Sequence, residues 1–179
     1  MKKLFLFICT LGCLSFFSCT NNNVGMSDKA KKNLDNARAI AKSFETKDIS
    51  KLDDYIDKDV VDHASPGGET KGIENLKKMF QQMQGSTANA KNETIKELAD
   101  DDYVYQWLKE SWTQTQESMG MKPGSYSFNA IEVSKFNADS KVIEHWSFMD
   151  VNDMMKMMPP ASMSNDASMN KMDSAGKQK

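Results

Sequence analysis

Residues 140–150 read "SKVIEHWSFMD". Ile143, His145, Ser147 and Met149 alternate with Glu144, Trp146, Phe148 and Asp150. Successive side chains on a strand point to opposite faces, so this stretch sorts an imidazole and a hydroxyl onto one face and two aromatics onto the other. The same period of two runs upstream through 91–99, 102–116 and 124–137, which are rich in aromatic and β-branched residues such as Tyr103, Tyr105, Tyr126 and Phe128. Asp100-Asp101-Asp102 reads as a hairpin turn, 117–124 as a longer loop and 137–140 as a tight turn.

Before Lys91 the period is close to four. Leu34, Ala37, Ile40, Ala41 and Phe44 make an amphipathic helix of 33–45. Asp48 can cap a shorter helix carrying Ile49, Leu52, Tyr55 and Ile56. A third helix over 73–84 presents Leu76, Met79, Phe80 and Met83, with Gly85 at its end. The intervening 60–72 breaks this period: Val60-Val61 is apolar and β-branched, and Pro66-Gly67-Gly68 is a turn or loop. Helices followed by a run of strands predict an α+β domain: a conical barrel of three N-terminal helices packed on a curled antiparallel sheet. The interior of such a cone is filled by side chains or holds a ligand.

The ends lie outside this pattern. Residues 1–18 carry two lysines, an apolar run from Leu4 to Phe17 and a small residue, Ser18, before Cys19. This resembles a bacterial lipoprotein signal peptide, which implies cleavage before Cys19 and lipid on that cysteine; Cys13 is the poorer alternative, because the apolar run continues past it. Residues 19–32 then serve as lipid anchor and flexible spacer, 33–153 as the domain, and 154–179 as a Met-rich disordered tail. The implied location is the bacterial cell envelope, lipid-anchored to a membrane and facing the periplasm or the outside. All three cysteines fall at or before Cys19, so the domain has no disulfide and no thiol chemistry. With 23 Lys+Arg against 25 Asp+Glu and a net charge of −2, nucleic acid is not an expected partner.

Three segments resemble the SnoaL-like polyketide cyclase and ester cyclase family of the nuclear transport factor 2-like superfamily. They are Asp59-Val60-Val61-Asp62-His63 with Gly72-Ile73-Glu74, residues 112–123, and Lys141-Val142-Ile143-Glu144-His145-Trp146 with Asp150 beyond it. The resemblance implies a cavity-bearing cone, often paired as a homodimer through the sheet, and acid/base catalysis without metal or cofactor by an aspartate that follows the His-Trp pair. Here that position is Ser147, and Gln114 stands where the family has a histidine.

The expected function is therefore a membrane-anchored module that binds a small, largely apolar ligand without the family's aspartate chemistry. Trp107, Trp112, Gln114, Ile131, Val133 and Met149 are the candidate ligand contacts. The alternative is an ester cyclase-like enzyme in which His145 works with Ser147, His63 and Asp62 as catalytic residues. As a base in an apolar cone, His145 would have a depressed pKa; as a wall residue it would be a satisfied, half-buried histidine. A second alternative is Cu(I) binding by the soft thioethers of Met154, Met157, Met169 and Met172, against a plain low-complexity tail. No other metal-ligand spacing, phosphate loop or nucleophile elbow occurs in the sequence.

Overall fold

Ser27 starts the domain by accepting a hydrogen bond from Ala30 N at 2.9 Å, which caps the first helix, α1 (Asp28–Thr46). The cap sets the helix five residues earlier than the apolar period alone suggests, and brings Ala30 into the core beside Leu34 and Ala37. The computed structural model describes residues 25–157 except Pro66. The signal-like segment, Cys19, Met169 and Met172 lie outside the described residues. Among those described, no helix is long and apolar enough to cross a membrane.

After α1 come α2 (Leu52–Tyr55), β1 (Ile56–Asp62), β2 (Thr70–Lys71), α3 (Ile73–Ser86), β3 (Thr87–Ala99), β4 (Tyr103–Gln114), β5 (Gly124–Phe136), β6 (Val142–Met149) and α4 (Val151–Met157). The strands form one six-stranded sheet in the order β2-β1-β6-β5-β4-β3. The long strands pair antiparallel, as expected, but β1 joins β6 in parallel. The apolar spacing of 49–56 puts Ile56 on a helix, and only Val60-Val61 carries a β-branched signal. In fact Ile56 is extended, because Val60 and Ile56 bury their side chains under the helices while the backbone of Asp62 pairs with that of His145. Gly72 closes the detour between β1 and α3. Its φ of 81° suits glycine, its N–H donates to Val60 O at 2.7 Å, and a Cβ there would meet Lys58 O at 3.5 Å.

The core gathers where α1, α2 and α3 cover the sheet. Leu34, Leu52, Val60, Leu76, Phe80 and Val104 are buried together, with Phe44 packed edge-on to Phe80 at 4.3 Å between ring centres. Lys47, in the left-handed region at φ 60°, ends α1 and donates to Gln84 O and Thr87 O, so the ends of α1 and α3 are tied together. Residues 154–157, assigned to a disordered tail from sequence, form the second half of α4; its Asp153 accepts from Asn129 N at 3.5 Å. The outer face of the sheet is the less covered one: Tyr105, Trp107, Ile131 and Phe148 are 41–58% exposed.

Candidate functional site

Strand parity builds the site. On β4, Gln106, Leu108, Glu110, Trp112 and Gln114 share the concave face; on β5, Phe128, Glu132 and Ser134 do. β6 contributes His145, Ser147 and Met149, as the alternation of its sequence predicts, and β1 contributes Asp62. The helices close over this face with Phe44, Met79, Phe80 and Met83. Met119 and Met121 of the β4–β5 loop and Met157 of α4 complete the wall. The cavity they line is about 390 Å³, within the usual range for small-molecule sites.

At its polar side the charged groups form one chain. His145 Nδ1 lies 3.0 Å from Asp62 Oδ1, and His145 Nε2 lies 2.8 Å from Glu132 Oε2. Ser147 Oγ donates to Glu132 Oε1 at 2.5 Å. Asp62 is buried and accepts further hydrogen bonds from Ala64 N at 2.9 Å and Ser65 Oγ at 2.8 Å. Its carboxyl is held below the ordinary range: burial opposes ionisation, but the His145 bond and charge and the loop donors outweigh it.

His145 departs from the base expected of it. Burial in the cone does work against its charged form, but two carboxylates face its two ring nitrogens, and together they push its pKa up to about 10. At neutral pH it is an imidazolium with both N–H groups committed. The apolar walls alone predict a depressed pKa; Glu132 on β5 and Asp62 on β1 reverse the sign.

Glu110 is the group that the apolar cavity perturbs in the opposite sense. Burial, and then the charge and hydrogen bonding of the neighbouring Glu132, raise its carboxyl to about 8. A carboxyl at that value exchanges its proton near neutral pH, whereas an ordinary glutamate is fully ionised. Neither Glu110 nor Glu132 was among the candidates read from sequence. The available signal was parity: each is an isolated acid on the face of its strand that otherwise carries Val104 and Leu108, or Phe128 and Ala130.

Of the remaining candidates, Trp112, Gln114 and Met149 line the cavity. Gln114 is buried and spends its amide within the protein, accepting from Trp112 Nε1 at 3.3 Å and donating to Gln116 O at 2.8 Å. Trp107, Ile131 and Val133 do not reach the cavity. Trp107 is five residues from Trp112 and so falls on the opposite face of β4; it opposes Ile131, and Val133 opposes Trp146 on that same outer face. His63 also lies outside, one residue past inward-facing Asp62. It stacks on Trp146 at 4.9 Å and sits 3.0 Å from Glu69 Oε2 and 3.6 Å from Glu144 Oε2. The structure thus brings His145, Ser147 and Asp62 together and leaves His63 out. Met157 is at the cavity and Met154 is exposed to solvent. Among the described residues no group of three or more His, Cys, Asp or Glu could hold a metal ion.

A cone of helices on a curled sheet, with an acid-bearing cavity inside, defines a domain of the nuclear transport factor 2-like class. Within that class the chain belongs to the SnoaL-like polyketide cyclase family, whose model matches residues 35–158. Among curated proteins, none matches the chain in sequence. Solved structures agree on the fold. A Shewanella denitrificans protein described as a SnoaL-like polyketide cyclase is 16% identical with a TM-score of 0.62, covering 70% of this chain and 95% of its own. An epoxide hydrolase of M. tuberculosis described as LEH-like is 15% identical with a TM-score of 0.60, covering 73% and 91%. Bal32a, from a soil-derived mobile gene cassette, is 19% identical with a TM-score of 0.60, covering 74% and 100%.

Proposed function

We propose that this chain is a cofactor-independent acid–base enzyme of the cyclase or isomerase type, acting on a small, largely apolar carbonyl compound held in the cone. One observation carries the reading: the Glu110 carboxyl, raised to about 8, lies in the cavity beside Glu132, which His145 and Ser147 hold in place. A carboxyl that changes state near the working pH can both take and return a proton. In its ionised form Glu110 removes a proton from the carbon next to a carbonyl. The acid so formed delivers that proton to the oxygen of the acceptor carbonyl as the new carbon–carbon bond closes, which restores the carboxylate. An isomerisation uses the same two transfers, with the proton returned to a different carbon. Ser147 takes no proton in this scheme. It donates to Glu132, and the Asp62–His145–Glu132 chain keeps a negative charge beside Glu110, which sustains its raised pKa. Apolar walls contribute by keeping water from that carboxyl.

Proton abstraction can be read without knowing the substrate. The probe is 2-tetralone in D2O, with exchange of its α-hydrogens followed by NMR. Exchange should be faster with the protein than with buffer alone. Glu110→Gln should lose roughly 10²-fold or more of the catalysed rate, the usual scale for a general acid–base group. Exchange that persists unchanged in Glu110→Gln would remove Glu110 from this role. The second reading, a binding module without turnover, is favoured by the serine at position 147; it predicts that the ketone binds but does not exchange. Attachment to a membrane through lipid on Cys19 belongs to both readings, and the signal-like residues before Cys19 are what support it.

A further inference from the structure

The hydroxyls and amides that line the cavity are mostly spent on the protein itself. Asn92 Nδ2 donates to Ala41 O and Gln114 Nε2 to Gln116 O. Ser86 and Thr87 turn their hydroxyls onto Met83 O at 3.1 and 2.9 Å, and Ser147 gives its own to Glu132. Gln106 and Ser134 differ. Both line the cavity, and they are only 6% and 8% exposed.

The amide of Gln106 is fixed from behind. Its Nε2 donates to Glu97 Oε1 at 2.8 Å, and Arg38 of α1 donates to Glu97 Oε2 from Nε at 3.1 Å and from Nη2 at 2.6 Å. Burial alone would raise the Glu97 carboxyl, but the bonds from Arg38 and Gln106 outweigh it and hold it below the ordinary range. An ionised carboxylate only accepts, so the amide turns its NH2 to Glu97 and its oxygen away. That oxygen accepts from no described residue. Nor is it sealed off: the sealed side-chain atoms that lack a partner among the described residues are Asn33 Oδ1 and Gln84 Nε2. Gln106 Oε1 therefore keeps accessible surface, and in a residue so buried, lining the cavity, that surface opens inward. The same holds for Ser134 Oγ, which has no partner among the described residues and is not sealed either.

Gln106 stands opposite Glu132 in register, and Ser134 follows two residues along β5 on the same face. Such diagonal neighbours lie about 7–8 Å apart, a span that one oxygen atom can bridge between two side chains. Gln106 Oε1 can only accept, whereas Ser134 Oγ–H can donate. The group that satisfies both is a hydroxyl, donor and acceptor at once. We infer that Gln106 and Ser134 form a hydroxyl-recognising subsite: the ligand O–H donates to Gln106 Oε1, and Ser134 Oγ–H donates to the same ligand oxygen. The inference rests on the cavity being a ligand site, and it narrows the ligand class of the proposed reaction to a hydroxylated carbonyl compound. A site built to pair with a hydroxyl discriminates strongly against the analogue that lacks it, because its own polar groups are then left unpaired.

The probes are the 2-tetralones that carry a hydroxyl at ring position 5, 6, 7 or 8, each paired with the methyl compound of the same position and nearly the same shape. Dissociation constants come from NMR titration of the full folded protein. Wild type should bind the best-fitting hydroxy compound about tenfold tighter than its methyl partner, the scale of one hydrogen bond to a buried group. Gln106→Leu should abolish that preference. Ser134→Ala trims one hydroxyl and leaves the Arg38–Glu97–Gln106 chain intact, so it decides the matter where Gln106→Leu unsettles the fold; it should cut the preference to about threefold or less. The preference should persist in Glu110→Gln, which separates recognition from proton transfer. No preference in any of the pairs with wild type, or a preference undiminished in Ser134→Ala, overturns the inference, and catalysed α-hydrogen exchange of 2-tetralone in the same protein would leave the proposed enzyme standing. Failure of every tetralone to bind overturns it together with the ligand-site reading beneath it.

Discussion

Glu132→Gln isolates the interaction on which the site's electrostatics turn. In the native protein His145 is pushed from 6.5 to about 10 against the opposing effect of burial. At about 1.4 kcal/mol per unit, the two facing carboxylates together stabilise the imidazolium by roughly 5 kcal/mol net, an upper figure where the cavity admits water. Glutamine keeps the size of Glu132 and an oxygen that can still accept from His145 Nε2, but it removes the charge. One opposite charge at hydrogen-bonding distance is worth about 1–3 units, so the His145 midpoint should fall by that much while Asp62 still holds it above its ordinary value. Glu110 should respond too: without a neighbouring anion, its carboxyl should titrate lower, leaving burial as the main cause of its shift. Histidine Cε1–H resonances followed by NMR from pH 5 to 11 read the first change. The chain has two histidines, and a His63→Gln spectrum assigns them. Wild-type His145 titrating near 6.5, or a midpoint unmoved by Glu132→Gln, would refute the carboxylate clamp.

Glu110 sets a stability slope of definite sign. Its folded pKa, about 8, lies above its ordinary 4.5, so the folded protein keeps a proton that the unfolded chain releases, and stability falls as pH rises through that interval. His145 acts in the same direction over a higher window, its contribution full below about 6.5 and lost as pH rises through about 10. Glu110→Gln should therefore melt several degrees above wild type at pH 8 and little above it at pH 5; equal melting at both, in calorimetry, counts against a strained carboxyl. Cys19→Ala should abolish palmitate labelling and release the protein from membranes. Retained label in that variant would move the anchor to Cys13 or end the lipoprotein reading.

The fold was legible because period and position agreed over most of the chain. The helix of Leu34, Ala37 and Phe44, that of Leu76 and Phe80, and the four long strands all show in the spacing of apolar residues. What the spacing did not show was β1. Its seven residues carry Asp57, Lys58 and Asp59 on the exposed stretch, so its apolar pattern reduces to Ile56, Val60 and Val61, and a parallel pairing with β6 eighty residues away leaves no local trace. The site was half legible for a related reason. His145, Ser147 and Asp62 lie in segments with a recognisable pattern, whereas Glu110 and Glu132 acquire their properties only from what the closed sheet sets beside them. Trp107, Ile131 and Val133 looked like cavity residues by type, and parity alone would have moved them outside.

Loss of an acid at position 147 argues against catalysis only if the carboxylate has nowhere else to stand. In this cone Ser147 still points into the cavity, and its hydroxyl donates to Glu132, one strand over and directly opposite it in register. The negative charge that an aspartate at 147 would have brought is thus supplied from β5, and His145 binds it as it would have bound a neighbour on its own strand. With that charge fixed, the next carboxyl in reach cannot ionise cheaply, and that carboxyl is Glu110 on β4. On the proposed reading, Glu132 and Glu110 together hold what the chemistry needs: one carboxylate anchored by donors and one carboxyl poised near neutrality in an apolar wall. A protein that had kept only the shell of its family's site, as a passive ligand holder, would have no use for a second buried acid. Replacing Glu110 by leucine would stabilise such a protein at no functional cost, so its presence in the wall supports the proposed proton transfer.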